Sequence, residues 1–262
     1  MSHRPRKRFG QNFLRDPGVI GRILDAVDPR PGDHLVEIGP GQGAISVGLL
    51  RAAGRLDAIE LDRDLAGPLA ERCRELGELH LIVGDALSFD FCALRAGGEQ
   101  LRVIGNLPYN ISTPLLFHLL DQAPCIRDLH LMLQKEVVDR MAADPGSKVY
   151  GRLSVMLQAR CAVAPLFTIG PEAFSPAPKV DSAFVRLLPY EAPPHPIGDW
   201  TCFSRLVALA FAQRRKTLRN SLRPLVSEET LAACGIRAAQ RAEELSVGDF
   251  ARLADALCGQ GP

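Results

Sequence analysis

"HLVEIGPGQGAIS", His34 to Ser46, decides how this chain is read. A short apolar run ends on Gly39, Gly41 and Gly43, and helical spacing begins directly afterwards. That is a strand, a tight turn and the start of a helix, and the glycines let a ligand approach the backbone closely. Working outward, "RLDAIEL" (55–61), "LHLIVG" (79–84), "LRVIGN" (101–106) and "DLHLML" (128–133) are also short, mostly apolar and bounded by Gly, Asp or Asn. Helical stretches such as "LAGPLAERCREL" lie between them. The alternation predicts an α/β fold, a mostly parallel sheet with helices on both faces.

"LSVMLQARC" reads as a helix, and "AVAPLFTIG" and "SAFVRLLPY" read as a closing pair of strands with a return in direction. "EAPPHPIG" (191–198) breaks both periods, which predicts a linker there. The expected organisation is a domain over 1–190, a linker over 191–198 and a small all-helical domain over 199–262.

The 262 residues are 47% hydrophobic, with a net charge of only +1 and no apolar run of membrane-spanning length. The basic N-terminus lacks an apolar signal region, so export is not expected and a cytoplasmic location is. Seven scattered cysteines include no C-x-x-C pair, so reduced, mostly buried thiols are expected and no metal site. Charge is unevenly placed. Arg4, Arg6, Lys7 and Arg8 form one basic cluster, and Arg214, Arg215, Lys216, Arg219 and Arg223 form another. A polyanion partner and a pair of solvated faces both fit that asymmetry.

The glycine turn selects among cofactors. A dinucleotide site wants G-x-G-x-x-G, whereas this turn is G-x-G-x-G with Glu37 just before it. An acid there suits a ligand carrying an ammonium and a sulfonium, such as S-adenosylmethionine (SAM). Glu60 ends the next strand, where a carboxylate can take both hydroxyls of a ribose. Asp85, followed by Ala86, ends the one after, where a carboxylate can accept from an adenine amino group. Ligands of open α/β sheets bind beyond the carboxyl ends of the strands, so the three signals converge. The sheet is therefore expected to be Rossmann-like and SAM-binding.

The fourth strand ends in "NLPY", Asn106 to Tyr109. The exocyclic amine of adenine is a poor nucleophile because its lone pair is delocalised into the ring. Two acceptors on its N–H groups favour a pyramidal nitrogen. The Asn106 side-chain oxygen is one candidate, and a backbone carbonyl held by the stiff Leu107–Pro108 unit is the other. Tyr109 offers a flat face for the base, and orientation supplies most of the catalysis without an obligatory general base. Phe174, before the stiff "SPAPK" loop, is a candidate for the other face of a flipped base. A core phenylalanine fits the same position.

With these residues in hand, the chain resembles the ribosomal RNA adenine N6,N6-dimethyltransferase family, and specifically its small-subunit branch. The resemblance covers nearly the whole length. It is carried by "KRFGQNFL", "VEIGPGQGAIS", "NLPYNISTPLLFHLL", "LQKEVVDRM", "PGSKVYGRLSV", "FSPAPKVDSAF" and "FAQRRKTLRNSL". It implies SAM contacts from Asn12, Leu14, Gly39, Glu60, Asp85 and Asn106, and Asn106, Leu107 and Tyr109 around the target base. It also implies a monomer that transfers two methyls to each of two adjacent adenosines in the 3′-terminal hairpin loop of small-subunit rRNA, within a late small subunit.

Ile45-Ser46 stands where Leu-Thr is more usual, and the charge is lower than such an rRNA binder suggests. The rivals are a large-subunit rRNA dimethyltransferase conferring antibiotic resistance, which shares the glycine turn, and a non-catalytic RNA-binding assembly factor. On a helix, Arg215, Arg219 and Arg223 would share one face, and that face is expected to hold rRNA phosphates.

Overall fold

A computed structural model describes residues 11–95, 97–213 and 215–258. The elements along the chain are β1 (Phe13–Leu14), α1 (Pro17–Val27), β2 (His34–Ile38), α2 (Ser46–Ala53), β3 (Arg55–Glu60), α3 (Arg63–Cys73), β4 (Glu78–Val83), β5 (Leu101–Asn106), α4 (Ser112–Asp121), β6 (Ile126–Gln134), α5 (Lys135–Met141), α6 (Arg152–Gln158), β7 (Cys161–Ile169), β8 (Phe174–Ser175), β9 (Ser182–Pro189), α7 (Trp200–Phe211), α8 (Leu218–Ser221), α9 (Glu228–Ala233) and α10 (Val247–Cys258). Among the described residues no helix is long and apolar enough to cross a membrane.

The chain divides into two compact units. One runs to Val138 and resumes over Ala164–Pro189, and the other comprises Asp139–Val163 and the chain from Tyr190. The expected break at 191–198 is therefore only one of the points where the chain changes unit. Asp139–Val163 pack with the later helices for a local reason. The Tyr150 hydroxyl donates to the Leu245 carbonyl at 2.9 Å, and the Gly146 N–H donates to the Glu243 carbonyl at 2.6 Å.

The first unit holds the sheet, in the order β4-β3-β2-β5-β6-β9-β7. Strands β2 to β6 are parallel, and β9 runs antiparallel to β6. The predicted α/β sheet with its return in direction is thus present. Its strands are apolar on both faces because helices cover both. The order reverses between β2 and β5, which creates the crevice where such sheets bind ligands. The core joins Leu35, Leu56 and Ile104 of the sheet to Ile23, Leu49 and Leu69 of the covering helices.

Local signals set the helix ends. Asp16 caps α1 by accepting from the Val19 N–H at 2.9 Å, with Pro17 at the first position. Gly54 ends α2 in the left-handed conformation. Gly43 holds φ at +76°, and a Cβ there would sit 2.6 Å from the Leu69 side chain. Gly43→Ala is expected to cost about 1–2 kcal/mol of stability, read as a lower Tm, because a left-handed backbone is strained for any L side chain.

Two expectations need correcting. Four cysteines are not reduced thiols: Cys92 is bonded to Cys125 and Cys202 to Cys258, leaving Cys73, Cys161 and Cys234 free. The partners lie 33 and 56 residues apart, so no spacing rule reveals them. The basic run 214–223 is not one helix either. Helix α7 stops at Phe211, and α8 begins only after Thr217 and covers just Leu218–Ser221. Arg215, Arg219 and Arg223 therefore share no helical face.

Candidate active site

A pocket opens at the carboxyl ends of β2, β3, β4 and β5, all within the first unit. It is lined by Asn12, Leu14, Glu37, Gly39, Gly41, Glu60, Asp85, Ala86 and the whole Asn106–Tyr109 stretch. The structure thus brings together nearly every residue expected to hold SAM or the target base. Gly43 and Phe174 do not line it.

Gly41 sits at φ +57°, and a Cβ there would meet the Phe13 ring at 3.2 Å. Its N–H donates to Glu60 Oε2 at 3.0 Å, and the Asp62 N–H donates to Glu60 Oε1 at 2.8 Å. The Glu60 carboxylate is thereby fixed across the strand ends, and each oxygen keeps lone-pair capacity for another donor. Burial raises the Glu60 pKa against the lowering effect of those two N–H groups, and the nearby Asp62 adds to the rise. Asp85 is held by the Leu87 N–H, which donates to its Oδ1 at 2.9 Å.

Glu37 is 3% exposed, and among the described residues its Oε2 has no hydrogen-bond partner. Burial pushes its carboxyl up to about 7, opposed by the Ser46 hydroxyl and reinforced by the Glu60 charge. A buried carboxyl oxygen left unpaired at a pocket wall fits a cationic ligand. Carboxylates on successive strand ends together with a glycine turn fit SAM.

The "NLPY" stretch is anchored at each residue. Asn106 Nδ2 donates to the Asn12 carbonyl at 3.1 Å. A carbonyl can only accept, so this contact fixes which end of the amide is nitrogen and makes Oδ1 the accepting end. The Leu107 N–H donates to the Met132 carbonyl at 3.1 Å, and the Pro108 carbonyl accepts from the Ile111 N–H at 3.1 Å. The Tyr109 carbonyl accepts from Ser112 Oγ at 3.1 Å, and the Tyr109 hydroxyl lies 2.7 Å from Ser182 Oγ. Burial raises the Tyr109 pKa, with Ser182 opposing and Asp181 adding.

Phe174 is a correction. It is 5% exposed and packs in the apolar core with Leu14, Ile23 and Ile169, so it does not flank the target base here. The cause is the pairing of β8 with β1, in which Leu14 faces Phe174 and Phe13 faces Ser175. Several pocket residues escaped sequence reading, Phe13 and Leu61 among them. Phe13 was hidden inside a two-residue strand, and Leu61, 49% exposed, follows Glu60 directly. A large apolar residue beside a strand-end acid is the signal that could have found Leu61.

The basic candidates fare unevenly. Arg4, Arg6, Lys7, Arg8 and Arg214 lie outside the described residues. Arg215, Lys216 and Arg223 are exposed in the second unit. Arg219 is exposed too, but its guanidinium donates to Glu228 Oε2 at 2.6 Å. Arg219 is thus paired within the chain.

Comparison with known proteins shows the family. The family signature described as ribosomal RNA adenine dimethylase matches residues 2–258. A protein named ribosomal RNA small subunit methyltransferase A from Pseudomonas aeruginosa is 57% identical over 255 residues, covering 97% of this chain and 95% of that protein. Its namesake from Xanthomonas campestris pv. campestris is 57% identical over 250 residues, 95% of each chain. A dimethyladenosine transferase from Plasmodium falciparum superposes with a TM-score of 0.81 at 27% identity, over 92% of this chain and 95% of that one. The 23S rRNA methyltransferase ErmE gives 0.74 at 26% identity, over 94% and 99%.

Proposed function

The chain belongs to the ribosomal RNA adenine dimethylase family, and we propose that it puts two methyls on each of two adjacent adenosines in the 3′-terminal hairpin loop of small-subunit rRNA, working in the cytoplasm as a monomer on late small subunits. At the coarser level it is a SAM-dependent methyltransferase that dimethylates adenine in small-subunit rRNA. The small-subunit choice over the large-subunit one rests on relatives: 57% identity to the former against 26% to ErmE.

One observation carries the mechanism: the Asn106 amide is oriented by the Asn12 carbonyl, on the wall of the pocket that also holds Glu37, Glu60 and Asp85. SAM, when bound, supplies a methyl group on a cationic sulfonium. Glu60 takes the ribose hydroxyls, Asp85 the adenine amine, and Ala86 and Leu61 the apolar ring. Glu37 offers a carboxylate to the ammonium, and Asn12 and Leu14 close the wall. Asn106 Oδ1 and the Leu107 carbonyl accept the two N–H groups of the target amine, which localises its lone pair. Tyr109 stacks on the base. The rate then comes from orientation and placed dipoles.

SAM or S-adenosylhomocysteine is expected to raise the Tm, and NADH to leave it unchanged. Glu37 adds a proton signature. In the free protein it stays protonated up to pH about 7. A neighbouring ammonium favours the carboxylate, so binding releases a proton between roughly pH 5 and 7, and affinity rises with pH across that window. The stability of the free protein runs the other way. An acid whose folded pKa is raised favours the fold at low pH, and that contribution is lost as pH rises from 4.5 through about 7. Calorimetry in two buffers of different ionisation enthalpy measures the proton. Glu37→Gln should abolish its release, and an unchanged release would remove Glu37 from the ammonium role.

We propose that the exposed Arg215, Lys216 and Arg223 of the helical unit hold rRNA phosphates, with the N-terminal basic cluster. Arg215→Gln with Lys216→Gln should weaken small-subunit binding and reduce its log–log salt slope by roughly one unit or less per residue. Arg219→Gln should matter less, because Glu228 already occupies its guanidinium. SAM affinity should not move. An unchanged salt slope would place the phosphate contacts elsewhere.

A further inference from the structure

We infer that Ser182 is a positioning residue that sets the Tyr109 ring as the platform for the target base. This rests on the reading of Tyr109 as the stacking face. Ser182 is fully buried, opens β9, and is paired with Gln134 of β6. The peptide before it is tied down as well, since the Asp181 carbonyl accepts from the Lys135 N–H at 2.9 Å. Its hydroxyl is therefore a fixed point on the sheet, 2.7 Å from the Tyr109 hydroxyl.

Tyr109 follows the end of β5 and has no place in the strand ladder. Its backbone carbonyl is held by Ser112 and, among the described residues, its hydroxyl by Ser182. The bond to Ser182 fixes the direction of the ring axis. The neighbouring strand pair, Asn106 with Met132, places the amine acceptor in register with the same stretch of β6. One short piece of sheet thus sets both the base platform and the amide that receives the amine.

The test is single-turnover transfer to unmethylated small subunits at saturating SAM, using Ser182→Ala, Tyr109→Phe and the double variant. Each single change removes the same hydrogen bond from opposite sides. Each is expected to slow transfer about five- to tenfold, and the double variant no further than either single one. The dissociation constant for S-adenosylhomocysteine should stay within about twofold of wild type, which separates lost positioning from a damaged fold. If Ser182→Ala destabilises the fold, Tyr109→Phe still reports the bond from the pocket side.

A wild-type rate in either single variant, or additive losses in the double, would overturn the positioning role. If the wild-type protein transferred no label to small subunits, the functional reading beneath it would fail instead, a result visible in the control alone.

Discussion

Asn106→Ala should slow single-turnover methyl transfer about a hundredfold, the loss seen when a preorganised dipole is taken from a developing charge. Two things disappear together. The Oδ1 proposed to accept from the target amine goes, and so does the contact from Nδ2 to the Asn12 carbonyl at 3.1 Å that ties β5 to the segment ahead of β1. Because Asn12 and Asn106 both line the cofactor pocket, part of the loss could be in SAM affinity. Saturating cofactor removes that part. Small-subunit binding should hardly change, since the proposed phosphate contacts lie on other residues. A near wild-type rate at saturating SAM would end the proposed role of Asn106.

Glu60→Ala is expected to weaken SAM binding by about 1–3 kcal/mol, roughly fivefold to over a hundredfold, the cost of unmaking charge-assisted hydrogen bonds. The site gives this number a specific origin. Glu60 is 6% exposed and already holds the N–H groups of Gly41 and Asp62. Removing it would leave the ribose hydroxyls without their proposed acceptor and free the Gly41 N–H of the glycine turn. Glu60→Gln keeps one acceptor oxygen and should lose less. Titration calorimetry with S-adenosylhomocysteine reads both variants, and an unchanged dissociation constant for Glu60→Ala would remove Glu60 from the ribose role.

Much of the site was legible because it sits where strand periodicity ends. Glu60 and Asn106 are the last residues of β3 and β5, Glu37 is the penultimate residue of β2, and Asp85 lies two positions beyond β4. A reader who finds the strands finds these groups, since parallel pairing brings strand ends into line. What stayed hidden depends on contacts between distant segments. Phe174 looks identical in sequence whether it faces a base or the core, and only its pairing with Leu14 buries it. The four bonded cysteines are neighbours through packing rather than spacing. The pairing of Arg219, expected to hold phosphate, stayed hidden because its partner, Glu228, lies nine residues on, past the end of α8. The allocation of Asp139–Val163 turned on Tyr150, whose hydroxyl reaches 95 residues along the chain to Leu245.

The central claim is methyl transfer to two adjacent adenosines of small-subunit rRNA. The direct measurement is incubation of the protein with unmethylated small subunits and methyl-labelled SAM, followed by nuclease digestion and mass mapping of the modified nucleotides. The account predicts four methyls per subunit, two on the N6 of each of two neighbouring adenosines in the 3′-terminal hairpin loop. Label on large-subunit rRNA, label on a single isolated adenosine, or no transfer at all would contradict it.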